Sequence, residues 1–163
     1  YNIIHEETTM EGERHMATVF DVAEYILQKL GEVTTMKLQK LVYYCQAWSL
    51  VWDEQPLFED DFQAWANGPV CPALFDKHRG KFVITAKDMA PFTTDCKFSD
   101  ASIETMDAVI RDYGCRDPQW LIDLTHSELP WQSARGTCSP GDRCHTVIPK
   151  ESMQQYYAGI YHG

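Results

Sequence analysis

The chain has 163 residues, of which 44% are hydrophobic and 12% aromatic. That suits one domain with a real core and excludes disorder as the default state. A net charge of −10 argues against unaided binding to phosphate backbones, which rests largely on cations. No apolar run approaches the roughly 20 residues of a membrane helix, and no leader pattern is visible, so a cytoplasmic protein is expected.

Residues 1–15 show no helical or strand periodicity. They are expected to be a vector-derived or disordered arm, leaving 16–163 as the domain. Their four Glu and one Arg contribute −3, so the remainder carries −7. An acidic body favours encounter with a basic partner. The six cysteines, at 45, 71, 96, 115, 138 and 144, show no C-x-x-C spacing, and free thiols are expected.

Thr18 predicts a helix cap, with Asp21 favouring the positive helix start. Val19, Val22, Ala23, Ile26, Leu27 and Leu30 follow at helical spacing, and Gly31 supplies a stop. A second helix starts at Thr34 or Thr35. Its stripe is Leu38, Leu41, Val42, Cys45, Trp48 and Trp52. Tyr44, Ala47 and Val51 make its second half apolar nearly all round, which predicts a central helix over Met36–Trp52.

Alternation around Phe62–Trp65 predicts a short strand. Gly68-Pro69 and Pro72 then argue against regular structure. A short helix is expected over Ala73–His78, and residues 85–98 read as a surface connection. Ser99 caps the next helix, with Ile103, Met106, Val109, Ile110 and Tyr113 on its stripe. Asp117-Pro118 opens another, reaching about Thr125. Pro130 starts a short turn through Ala134, and residues 135–143 form a loop. Thr146–Ile148 reads as a strand and Pro149 as the start of a last helix carrying Met153, Tyr156, Tyr157 and Ile160. The fold class is therefore mainly α: a single-domain helical bundle with one or two short strands.

Candidate chemistry is sparse. Lys37 and Lys40 lie in the first turns of the second helix, where cations oppose the dipole. They read either as a basic contact patch or as partners in local salt bridges. Asn67, Gly68, Pro69, Val70 and Pro72 form a stiff corner, either a recognition surface or a packing device; rigid backbone loses little entropy on binding. Trp65 reads as core. His126 and Glu128 are two residues apart and do not face each other on a helix, so a structural histidine is expected. Cys138, Cys144 and His145 invite a zinc reading, but their spacing matches no common site. P-loop, G-x-G-x-x-G, G-x-S-x-G and H-E-x-x-H patterns do not occur.

Three stretches together resemble a known family. They are Thr34-Thr35-Met36-Lys37-Leu38-Gln39-Lys40-Leu41-Val42-Tyr43-Tyr44-Cys45-Gln46-Ala47-Trp48, Trp65-Ala66-Asn67-Gly68-Pro69-Val70-Cys71-Pro72, and Leu124-Thr125-His126-Ser127-Glu128-Leu129-Pro130-Trp131. In order and spacing they are similar to the Panacea antitoxin domain, the SocA-like antitoxins. The resemblance makes Thr35, Leu38, Gln39, Leu41, Tyr44, Trp48, Trp65, Thr125, His126, Glu128, Pro130 and Trp131 motif positions with a structural role. It implies a non-enzymatic antitoxin that binds a cognate toxin protein, without a cofactor. A proteolytic adaptor presenting a toxin to a cellular protease is the alternative. A small metal-dependent enzyme using Cys144, His145 and His126 is a more distant one. The 85–98 connection and the Cys138–Cys144 loop lie outside the signature stretches and are expected to carry partner specificity.

Overall fold

The computed structural model describes residues 16–162. The arm expected at 1–15 lies outside them. Helix α1 (Val19–Leu30) starts with a reciprocal capping box between Thr18 and Asp21 and stops at Gly31. Strand β1 (Val33–Thr34) leads directly into α2 (Thr35–Trp52), whose N-cap is Thr34, its hydroxyl accepting from the Lys37 N–H.

The mainly helical class holds. Helix α2 is the axis of the molecule. It is buried without a break from Leu38 to Leu50. It packs against α1, α5 (Asp100–Tyr113), α6 (Pro118–His126) and α8 (Lys150–His162). A helix covered on every side has no polar face, as its apolar second half implies. Its polar residues in the buried stretch therefore need partners; Gln39, Lys40, Gln46 and Ser49 find them in loop and strand backbone. Gln46 is the simplest case: its amide donates to the Phe58 carbonyl and accepts from the Leu57 N–H. The helix surfaces only at its ends, at Met36 and Lys37 in its first turn and at its C-terminus, where Trp52 is 37% exposed and stacks on Trp48.

Strands β2 (Phe62–Trp65), β3 (Gly68–Val70) and β5 (Val147–Ile148) form an antiparallel sheet in the order β3-β2-β5. Register pairs Trp65 with Gly68, Ala64 with Pro69 and Gln63 with Val70. Here the sequence expectation is corrected: Gly68-Pro69 does not break regular structure but forms a strand. Proline is tolerated because β3 is an edge strand. The Ala64 N–H opposite Pro69 also points the other way, to the Thr146 carbonyl. Pro72 likewise opens α3 (Pro72–His78) at its first turn, where no N–H is needed.

The 85–98 stretch is corrected too. Strand β4 (Val83–Ile84), which pairs with β1, comes just before it, and the stretch itself holds α4 (Ala86–Met89) and a 3-10 turn (Ala90–Phe92). Met89 is fully buried and pins the stretch to the core, while the rest of 85–98 stays at the surface or half-buried. The final pieces are α7 (Leu129–Arg135) and α8. On α8, Met153 and Tyr157 are buried while Ile160 is half exposed.

Candidate functional site: a cleft beside the three motifs

The three signature stretches meet at the edge of β3. This edge presents the Pro69 carbonyl and both backbone groups of Cys71, and α2 answers with two adjacent side chains. The Gln39 amide accepts from the Cys71 N–H (2.9 Å) and donates to its carbonyl (3.3 Å), as a neighbouring strand would. Its second N–H faces His78 Nε2 at 2.9 Å. That assigns His78 as the neutral tautomer accepting at Nε2. Burial lowers the His78 pKa, which agrees with a neutral ring.

Lys40 is 1% exposed, and its Nζ donates to the Pro69 carbonyl at 3.2 Å. No carboxylate pairs with it among the described residues. Both sequence readings of Lys40 are thereby corrected: it is neither a surface contact nor half of a salt bridge. The helix phase explains this, since Lys40 points to the same side as the sheet edge that needs a donor. Burial pulls its pKa down to about 7. Lys37 stays half-buried.

Gly68 takes φ +109°, and a Cβ there would meet Lys40 Cε at 2.5 Å and Thr125 Oγ1 at 2.8 Å. Glycine is required on both counts. Of the corner residues, Gly68, Pro69 and Val70 are buried, Pro72 is half-buried and Asn67 is exposed. The recognition and packing readings of the corner are therefore divided along it, with packing taking the larger part.

The third stretch locks the assembly. Trp131 donates its indole N–H to the Trp65 carbonyl at 2.8 Å, and the His126 ring stacks on Trp131 at 4.1 Å. Glu128 turns inward from the start of α7. Its carboxylate accepts from the hydroxyls of Tyr44 (2.6 Å) and Tyr157 (2.7 Å). Burial raises its pKa against those two hydrogen bonds. Tyr44 in turn stacks flat on Tyr113, whose hydroxyl accepts from Trp48. His126 and Glu128 thus point into different surroundings and form no acid–base pair.

Above this knot lies an open cleft of about 860 Å³. The start of α2, the β2–β3 hairpin, α3 and the end of the Cys138–Cys144 loop enclose it. Trp65, expected in the core, is instead half-buried on its wall, and with Phe75, edge to face at 4.9 Å, it supplies the aromatic surface. Of the residues expected to bind a partner, Lys40, Asn67, Val70 and Pro72 line it; Lys37, Gly68 and Pro69 do not.

Residue-by-residue reading missed Gln39 as a strand substitute, and it missed His78 and Arg135 altogether. Arg135 is buried and donates to the carbonyls of Ala64 (3.2 Å), Asp142 (2.8 Å) and Ser139, tying the loop to β2. A lone Arg at a helix end carries no sequence signal for that task. The expectation of six free thiols is corrected as well: Cys138 and Cys144 are paired, with Cα atoms 6.2 Å apart, and close the loop beside the cleft. Cys45 and Cys71 are buried free thiols whose pKa values burial raises. With Cys144 joined to Cys138, the Cys144–His145–His126 metal set loses its sulfur ligand. Among the described residues no cluster of three or more His, Cys, Asp or Glu could hold a metal. No helix among them is long and apolar enough to cross a membrane.

A buried polar knot thus holds the three signature stretches together beneath an open cleft. The chain belongs to the antitoxin SocA-like, Panacea domain family, whose sequence model matches residues 38–132, more than half of its length. That span runs from the first buried turns of α2 to α7 and contains nearly all of the knot. Membership supports an antitoxin role and, in general terms, a toxin partner. No curated protein and no solved structure matches the chain.

Proposed function

We propose that this chain neutralises one cognate toxin protein by stoichiometric masking, without chemistry of its own. Family membership is the observation that carries the reading. The architecture supports it. The motif residues are spent on holding β3, α3 and α7 against α2. This leaves a stiff platform on which the exposed Asn67, the half-buried Lys37 and the closed Cys138–Cys144 loop face outward. A stiff surface binds with little ordering cost, and a loop bordering it can vary to suit one toxin.

The test is co-expression with the candidate toxin from the adjacent reading frame. Masking predicts restored growth, co-purification at a fixed ratio and unchanged toxin level. Restored growth with falling toxin level assigns the chain to proteolytic delivery instead. If the wild-type chain neither binds the toxin nor restores growth, the antitoxin reading fails. Lys37→Glu tests the α2 end of the surface and should weaken the complex without lowering the melting temperature. Lys40 cannot be used this way, because a buried carboxylate there would disturb the fold itself.

A further inference from the structure

The cleft has the opposite charge to the molecule. The chain carries −10, yet the exposed charged residues lining the cleft are three cations (Arg79, Lys81 and Arg143) and one carboxylate, Asp76; Lys40 also borders it but is buried against the Pro69 carbonyl. Arg79 and Asp76 are 3.9 Å apart and well exposed, so they neutralise each other weakly. Lys81 meets Asp88 at 3.2 Å. Arg143 has no ion-pair partner among the described residues. An acidic protein that gathers cations at a large cleft focuses a positive field there.

A second feature stands beside the first. Phe82 is 80% exposed, and Met36, on the cleft wall, is 36% exposed. The Phe82 backbone is tied to the start of α2. The Thr35 N–H donates to the Phe82 carbonyl at 3.0 Å, and the Thr35 hydroxyl donates to the Lys81 carbonyl. A small anion would satisfy the cations and leave Phe82 in water. A polypeptide can cover both. An exposed aromatic beside a cleft, on backbone fixed before binding, is the form that interface anchors take.

We propose that the cleft docks an acidic, amphipathic segment of the partner toxin, its carboxylates meeting Arg79, Lys81 and Arg143 and its apolar side chains covering Phe82 and Met36. The proposal rests on the masking function above. It also refines the expectation of a basic partner: the acidic body can speed encounter with a basic toxin, while the cleft selects an acidic stretch within it.

Photo-crosslinking in the full chain tests it. Phe82→p-benzoylphenylalanine is irradiated in cells making the toxin, and the captured peptide is mapped. Trp52→p-benzoylphenylalanine, at the far end of α2, serves as the comparison. The Phe82 probe should capture an Asp/Glu-rich toxin segment. Arg79→Glu with Arg143→Glu should weaken the purified complex about tenfold or more. Lys29→Glu with Arg111→Glu reverses equal charge away from the cleft and should change it by less than about threefold. If the cleft double variant fails to fold, the crosslink map decides alone. Capture of a Lys/Arg-rich segment, capture of a second copy of this chain, or toxin capture by the Trp52 probe only would each overturn the assignment. So would saturable binding of inorganic phosphate that leaves the toxin complex intact. If these results fail while wild type still restores growth, masking stands at another surface. If wild type does not restore growth, the antitoxin reading falls and the proposal falls with it.

Discussion

Lys40 sits in the interior with one acceptor, the Pro69 carbonyl, for an ammonium that can donate three hydrogen bonds. Its pKa falls from 10.5 to about 7 because burial penalises the charge and no carboxylate among the described residues repays it. Between these values the unfolded chain holds a proton that the folded chain has released. Unfolding therefore takes up protons, and stability rises with pH across that window. Relative to Lys40→Met, wild type should gain about 2 kcal/mol between pH 7 and pH 9 in urea titrations, since the comparison cancels other titrating groups. Parallel stability curves for the two proteins would show that Lys40 keeps its proton in the fold. Gly68 makes a second residue-level test, because positive φ and the lack of room act together. Gly68→Ala should cost about 2 kcal/mol or more, read as a lower denaturant midpoint with an unchanged slope.

Helix α2 shows how one element organises the rest. Its apolar residues build the core, while Gln39, Lys40 and Gln46 satisfy backbone that would otherwise be buried without partners. Trp48 serves both ends: it is 7% exposed, packs on Tyr157 and donates to the Tyr113 hydroxyl. Trp48→Ala should cost about 3–5 kcal/mol, as for other large buried aromatics, and a melting temperature matching wild type would remove Trp48 from the core. The apolar stripe of α2 was legible because its period survives burial. So were the caps at Thr18 and Ser99 and the Asp117-Pro118 start, which are local chemistry. The strand at Gly68–Val70 was not legible. Gly and Pro are read as breakers, and only the pairing partner shows that this strand is an edge needing no proline N–H. The interior placement of Lys40 was hidden for a related reason: a Lys in a first turn reads as solvated until the β3 carbonyl beneath it is known. The cleft itself is assembled from residues 35 to 145, and no local window contains it.

At the scale of the whole molecule the decisive quantity is where the charge lies. The net −10 creates a field that repels polyanions, while the cations of the cleft are too few and too local to reverse it at a distance. Nucleic-acid affinity grows with the number of phosphates neutralised together, and each contact is weakened by salt. A duplex is a rigid cylinder that cannot bring several phosphates into one cleft while its remaining charge faces acidic surface. An acidic peptide of a toxin can, because it carries few charges and bends to follow the walls. Short duplex DNA and structured RNA should therefore bind the isolated chain more weakly than about 1 µM at physiological salt, without sequence preference, in fluorescence anisotropy. Arg79→Glu with Arg143→Glu should leave that weak binding nearly unchanged while it lowers toxin affinity. Sub-micromolar, sequence-specific binding that the same double variant abolishes would assign the cleft to nucleic acid and remove the charge argument for a protein partner.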